Sequence, residues 1–197
     1  LKIAFLRHGP TAWNEAGRIQ GHTDIPLSDA GLARMMTLRL PFACPRIYCS
    51  PLLRARQTAE ALALREPILD ARLREQNWGD WEGLTRDEIL ARHGADAFLN
   101  VGSARGEEFR PSGGESTGEL HARVSAFLKD AAADDSDAVV VAHLGVVRAA
   151  YTLATGWTMD APMPPELDVS KILLLSLDAA GKPRIEQLNL DFRPRTA

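Results

Sequence analysis

Cysteine is nearly missing from this chain. Cys44 and Cys49 are the only two, too few for a disulfide framework and spaced for neither a redox motif nor a zinc site. No apolar stretch approaches the roughly 20 residues of a membrane-spanning helix. The opening Leu1-Lys2-Ile3-Ala4-Phe5-Leu6 is too short and too soon interrupted for a signal peptide. The cytoplasm is therefore the expected compartment. A large excess of one charge is lacking as well: a net charge of −3 gives no general attraction to nucleic acid or acidic lipid. Neither nucleic acid nor membrane is an expected partner, and any anion site has to be assembled locally from Arg and His.

What is present fits one medium globular domain. The 197 residues are 45% hydrophobic and 25% charged, with no repeat, linker or low-complexity tract, so a single domain over 1–197 is expected. The oligomeric state is left open, a homodimer being compatible with the sequence. Residues 1–6 read as a buried strand. A helix then runs from a Ser28 or Asp29 cap to about residue 40, followed by a strand at 46–49. Ser50-Pro51 reads as a helix opening, with Ser50 capping, Pro51 in the first helical position and Arg54 in the first turn. A short strand is expected around Ile68, Leu69 and Leu73, helices at 85–92 and 95–99, and an exposed loop at 102–114. A long helix through Leu120, Val124, Phe127 and Leu128 leads to a strand at 137–142 without polar alternation, as a parallel strand covered on both faces should be. A helix at 146–156 and a hairpin of residues 172–177 and 185–190 close the chain.

The chemistry-bearing residues gather at the ends of these elements. Arg7-His8-Gly9 leaves the first strand, and His143 with Gly145 leaves the strand at 137–142. Arg54 sits just inside a helix start, and Glu75 lies in the loop Leu73-Arg74-Glu75-Gln76-Asn77-Trp78-Gly79. In an α/β fold, strand exits line the binding crevice. A neutral imidazole can attack phosphorus, and neighbouring guanidiniums oppose its protonation while balancing phosphoryl charge. His8 is thus a candidate nucleophile, with Arg7 and Arg54 as phosphate clamps. His143 adds a donor, helped by the amides of 144 and 145 at a helix start, and Glu75 is the candidate acid and base. Taken singly, each has a plainer reading: a His that ends a strand, a solvated Arg, an exposed loop Glu. Arg56, His93 and His121 keep that reading. A metal held by His8, His143 and Glu75 is disfavoured because close-spaced ligand pairs are missing and the arginines would repel a cation.

These residues stand in a pattern that resembles the histidine phosphatase superfamily, also called phosphoglycerate mutase-like. The likeness rests on Leu6-Arg7-His8-Gly9 with Trp13-Asn14, on Gly21-His22-Thr23-Asp24-Ile25-Pro26-Leu27-Ser28, and on Ser50-Pro51 with Arg54-Ala55 and Gln57-Thr58-Ala59. It continues through Leu73-Arg74-Glu75, Trp78-Gly79, Trp81-Glu82-Gly83, Gly113-Gly114-Glu115-Ser116 and Val141-Ala142-His143-Leu144-Gly145, which covers nearly the whole chain. The resemblance implies an α/β fold, a three-layer α/β/α sandwich with a mainly parallel central sheet. It implies that His8 is transiently phosphorylated, that Arg7, Arg54 and His143 form the phosphate pocket, that Asn14 touches the phosphoryl group and that Glu75 donates the proton. It implies no metal and no organic cofactor. Pro10 departs from the Glu or Gln that many relatives carry there, which removes a side-chain contact near the pocket and stiffens the loop.

The expected reaction is hydrolysis of a small-molecule phosphoester. The chain is short for the mutases it resembles, and the 102–114 loop offers only Arg105 and Arg110 as basic residues for a carboxylated substrate. Gln20-Gly21-His22-Thr23-Asp24 looks like broad-specificity phosphatases and like α-ribazole phosphatase, which the sequence does not separate. Gln20, His22, Trp78, Arg105, Arg110 and Phe109 form the expected substrate rim. The alternatives are a phosphoglycerate mutase and, from another class, a non-catalytic phosphate-binding or interaction protein.

Overall fold

The computed structural model describes residues 1–97, 108–159 and 162–195. Its centre is a six-stranded sheet in which β1 (Lys2–Arg7), β3 (Arg46–Cys49), β4 (Ile68–Leu69), β5 (Ala138–Ala142), β6 (Ile172–Leu177) and β7 (Pro183–Leu190) take the order β4-β3-β5-β1-β6-β7. The first four in that row are parallel. The last two form an antiparallel hairpin joined to β1.

Both faces of the sheet are covered, which explains why its central strands carry unbroken apolar runs. Side chains alternate between the faces. Ile3, Phe5, Tyr48, Ala138, Val140 and Ala142 join one core with α5 (Thr117–Ala133) and α6 (Leu144–Thr155), through Leu120, Val124, Phe127, Val147 and Ala150. Ala4, Leu6, Cys49, Val139 and Val141 face the other way. They pack with Met35 of α2 (Asp29–Met36) and with Ala55 and Ala59 of α3 (Leu53–Ala61). The result is the expected three-layer α/β/α sandwich. A third, smaller cluster joins Trp81, with Trp78 and Phe109 against it, to Ile89 of α4 (Arg86–His93).

Local signals place most helix starts. Ser28 caps α2 by accepting from the Gly31 amide, Ser116 caps α5 with Glu119 completing a capping box, and Thr85 does the same for α4 with Glu88. Gly156, in the left-handed conformation, ends α6.

Several boundaries differ from the sequence expectation, each for a tertiary reason. The helix expected to reach residue 40 stops at Met36, because β2 (Leu38–Arg39) pairs antiparallel with β8 (Arg193–Pro194) at the far end of the chain. The helix expected from Ser50-Pro51 starts at Leu53, with Leu52 in the cap position and no side-chain cap bond. The Ser50 hydroxyl accepts a 3.3 Å bond from the Leu52 amide and bonds His143 instead. Leu73 lies in a 3-10 turn rather than a strand. Ala95 and Asp96 form a turn, and Leu99 lies outside the described residues. α6 begins two residues earlier than expected, and a short α1 (Ala12–Glu15) interrupts the loop after β1.

The sheet order sets up the site. β3, β5 and β1 are adjacent and parallel, with Cys49 opposite Val141 and Arg7 opposite Ala142. The next residue of each strand therefore arrives at one edge: Ser50, His143 and His8. The ladder even continues one step, since the Ser50 amide donates to Val141 O and the His8 amide to Ala142 O, both at 2.9 Å.

α2 presses on the loop that leaves β1. The Ser28 amide donates to the Pro10 carbonyl at 3.0 Å, and a Cβ at Gly31 would overlap that same carbonyl oxygen. Gly31→Ala is expected to force loop and helix apart at about 1–3 kcal/mol, typical of overpacking. Urea unfolding checks it; an unchanged midpoint would show that the close approach is not needed.

Candidate active site

His8 is buried, and its Nδ1 lies 2.6 Å from the Gly9 carbonyl oxygen. A carbonyl only accepts, so Nδ1 carries the proton and Nε2 keeps the lone pair. Burial, then the charges of Arg54 and Arg7, push the His8 pKa down to about 3. The ring is therefore neutral at physiological pH. The Gly9 amide donates to Thr58 Oγ1 at 2.9 Å, and that hydroxyl donates to the Arg54 carbonyl at 2.7 Å. α3 and the His8 loop are thereby tied together.

His143 follows β5 and is fully buried, its ring centroid 5.1 Å from that of His8. Its Nε2 lies 2.7 Å from Ser50 Oγ, while Nδ1 has no partner. A serine hydroxyl can accept twice and donate once, so the contact with Ser50 is compatible with a proton on either nitrogen of His143, and Nδ1 is the nitrogen left without a partner. Burial, reinforced by nearby His8, Arg54, Arg123 and Arg7, holds the His143 pKa well below the usual imidazole value.

Arg54 is wholly buried on α3. It donates to Gly21 O at 2.8 Å and Thr23 O at 3.1 Å, and its Nε has no partner. The segment carrying those carbonyls is latched by Glu82, which accepts from the His22 and Thr23 amides at 2.7 Å, from the Trp78 amide at 3.2 Å and from the Thr23 hydroxyl. Burial alone would raise the Glu82 pKa; these bonds overcome it and hold the carboxyl below its ordinary value. Burial lowers the pKa of both Arg7 and Arg54, and Glu75 acts in the opposite direction on each.

The Glu75 carboxylate is buried and held by backbone. Its Oε1 accepts from the Gln76 amide at 2.8 Å and the Gly145 amide at 3.0 Å, and its Oε2 lies 3.2 Å from the same Gly145 amide. The 145 amide, expected to meet a phosphate, thus serves Glu75 instead. The Glu75 carbonyl accepts from His22 Nε2 at 2.9 Å and from Arg123 at 3.0 Å, and Arg123 is itself clamped by both oxygens of Glu115.

A cleft of about 210 Å³ brings Arg7, His8, Asn14, Gln20, Glu75 and Trp78 to one surface. Asn14 and Gln20 are linked through Thr11, whose hydroxyl accepts from Gln20 Nε2 at 2.7 Å and donates to Asn14 Oδ1 at 3.0 Å. The expected rim is only partly realised. Gln20 and Trp78 line this cleft, but His22 does not, being turned under Glu75. Arg110 is an exposed partner of Glu119 at 2.9 Å, and Phe109 packs on Trp81. Arg105 lies outside the described residues. Ser50, Thr58 and Glu82 stand in the motifs of the resemblance with no site role assigned, and Arg123 and Arg148 stand in none. Ser50 could have been found from its place next to a strand end, but the others act through contacts distant in the chain. Among the described residues no three His, Cys, Asp or Glu are grouped to hold a metal.

A class of protein follows from a buried histidine at a parallel strand exit, flanked by arginines and faced by a carboxylate. Residues 3–191 match the family model described as histidine phosphatase superfamily, branch 1, and the chain belongs to that superfamily. It is 34% identical over 187 residues to phosphoglycerate mutase-like protein 4 of Arabidopsis thaliana, covering 90% of this chain and 77% of the relative. It is also 34% identical over 167 residues to the metal-independent phosphoserine phosphatase of Arabidopsis thaliana, covering 78% and 68%. A solved mycobacterial glucosyl-3-phosphoglycerate phosphatase, complexed with VO3, superposes with a TM-score of 0.78 at 28% identity, covering 96% of this chain and 99% of that one.

The depressed histidines have a pH consequence. Unfolding returns His8 to a pKa near 6.5, so between that value and about 3 the unfolded chain binds the extra proton and stability falls as pH falls. His8→Asn is expected to flatten this dependence, losing about 2–3 kcal/mol less than the parent between pH 7 and 4.5. Urea unfolding at the two pH values reads it, and identical slopes would mean that His8 is charged in the native protein.

Proposed function

We propose that this histidine phosphatase hydrolyses phosphomonoesters of small metabolites through a covalent phosphohistidine at His8. The observation that carries the reading is the fixed tautomer of His8: Nδ1 is spent on the Gly9 carbonyl, and a neutral Nε2 lone pair stands among Arg7, Arg54 and His143. Attack forms the Nε2–P bond as the bond from phosphorus to the ester oxygen breaks. Glu75 passes a proton to that oxygen, and the alcohol leaves. Water then attacks phosphorus and gives its proton to Glu75, releasing phosphate and restoring His8. Arg7 and Arg54 balance the phosphoryl charge, Asn14 contributes its free NH2 group, and His143, in the tautomer where Ser50 donates to its Nε2, offers Nδ1–H to a phosphoryl oxygen.

Guanidinium and imidazole donors take over the charge compensation that a metal supplies elsewhere, in keeping with the metal-independent relative. Residues 1–197 act as one domain in this reading, supported by a family match that spans 3–191. No helix among the described residues is long and apolar enough to cross a membrane, and both cysteines are free thiols, which suits a reducing cytoplasm.

Two variants test the scheme. His8→Ala is expected to abolish acid-labile labelling by a phosphorylated substrate and to lower turnover by at least about a thousandfold. Labelling that persists would move the nucleophile elsewhere. Glu75→Gln is expected to slow poor alkoxide leaving groups roughly a hundredfold while slowing p-nitrophenyl phosphate far less; equal slowing of both would remove Glu75 from the acid role. Isomerisation of 3-phosphoglycerate in the presence of its bisphosphate, faster than hydrolysis, would favour the mutase reading instead.

A further inference from the structure

Thr11 holds more hydrogen bonds than the cap of a short helix requires. It is wholly buried at the N-cap of α1, and it joins Asn14 and Gln20, which line the cleft beside His8. The direction of each bond in this group is forced. The Thr11 amide lies 3.1 Å from Asn14 Oδ1, and a backbone N–H only donates, so the Asn14 atom turned toward Thr11 is its oxygen. That oxygen also lies 3.0 Å from the Thr11 hydroxyl, which therefore donates to it. A hydroxyl has one proton and two lone pairs. With the proton given to Asn14, both lone pairs are left to accept, and both are filled: by the Asn14 amide at 3.2 Å and by Gln20 Nε2 at 2.7 Å. Gln20 commits this donor to Thr11 while its own carbonyl oxygen stays buried with no partner.

The consequence falls on Asn14. Its side chain carries an acceptor and a pair of donors in one plane, and turning it over would exchange them. Two donors on the oxygen pin the amide with its NH2 group facing away from Thr11. Asn14 shares with Arg7 and His8 the walls of the 210 Å³ cleft and of a second recess of about 220 Å³ that also takes in Met35 and Phe192. Its place is thus beside the nucleophile, where the phosphoryl group has to lie. An amide held this way round offers that group an N–H; turned over, it would set oxygen against oxygen. α1 does not rely on the Thr11 hydroxyl alone, since Glu15 accepts from the Ser28 hydroxyl at 2.8 Å and the Pro10 carbonyl from the Ser28 amide at 3.0 Å.

We propose that Thr11 is a positioning residue for phosphoryl transfer: its hydroxyl, saturated by Gln20 and the Asn14 amide, fixes the polarity of the Asn14 side chain so that NH2 rather than the carbonyl oxygen meets the phosphoryl group. Wholly buried, Thr11 acts only through Asn14. This rests on the phosphohistidine reading of His8.

A double-mutant cycle on p-nitrophenyl phosphate tests it, with inhibition by inorganic phosphate as a second readout. The Thr11 backbone amide survives every substitution, so the loss expected is that of the hydroxyl alone. Thr11→Val is expected to lower kcat/KM and weaken phosphate inhibition by about five- to tenfold, and Asn14→Ala by about tenfold or more. Thr11→Ser, which keeps the hydroxyl, is expected to stay within about twofold of the parent enzyme. In the Asn14→Ala background Thr11→Val is expected to cost less than about twofold, because no amide is left to orient. Thr11→Ala completes the same cycle should the Val variant not fold. In NMR spectra of the parent enzyme the Asn14 side-chain NH2 signals are expected to shift when phosphate is added, whatever the variants do. A full Thr11→Val loss in the absence of the Asn14 amide, a Ser variant as impaired as Val, a harmless Asn14→Ala, or NH2 signals indifferent to phosphate each overturn the proposal while leaving hydrolysis intact. A parent enzyme that turns over no phosphomonoester takes down the phosphohistidine reading and this proposal with it.

Discussion

The bond from His8 Nδ1–H to the Gly9 carbonyl is the constraint on which the rest of the site depends. An imidazole has two nitrogens and, when neutral, one proton; spending that proton on a backbone carbonyl decides which nitrogen keeps the lone pair. The environment then keeps it so, because burial and two guanidiniums make protonation unfavourable. The carbonyl itself is steadied from behind, since the Gly9 amide is bound by Thr58 and Thr58 by the backbone of Arg54. One chain of hydrogen bonds thus sets both the tautomer of His8 and the position of an arginine beside it.

Arginines crowded into a buried pocket repel one another, and the fold meets that cost with backbone dipoles and with carboxylates, Glu75 foremost. Arg54 spends two of its nitrogens on the Gly21 and Thr23 carbonyls, whose segment is held by Glu82. Glu75 opposes, on each of Arg7, Arg54 and Arg148, the lowering of the pKa by burial. It is positioned by amides from its own loop and from the start of α6, and its carbonyl is pinned by His22 and Arg123. What remains unsatisfied is informative: Nδ1 of His143 and Nε of Arg7, Arg54 and Arg148 are all buried without partners. Buried polar atoms left without partners are uncommon in a folded protein, and here they belong to the residues singled out for the site.

Much of this was legible because it is local. A strand that ends in Arg7-His8-Gly9 and another that ends in His143 announce themselves by apolar runs of strand length followed by polar residues. The caps Ser28, Thr85 and Ser116 are readable within three residues of each helix. The misreadings share one physical origin. Ser50 looks like a cap, yet its hydroxyl is claimed by His143, 93 residues away. The helix expected to run to residue 40 yields its last turn to a strand pairing with Arg193 and Pro194. His22, expected at the rim, is drawn beneath Glu75, and the amide of residue 145 goes to that carboxylate instead of to a phosphate.

The sequence by itself determined the α/β class, the succession of the central elements along the chain, the two strand-end histidines with their arginines, and the family likeness, because short-range periodicity and strand-end motifs carry that information. Only the tertiary structure decided which nitrogen of each histidine is free, which amide holds Glu75, and that Arg148 shares its cleft. Those outcomes hang on contacts between residues tens of positions apart, and no spacing along a chain specifies the distance or the direction of a hydrogen bond across a sheet.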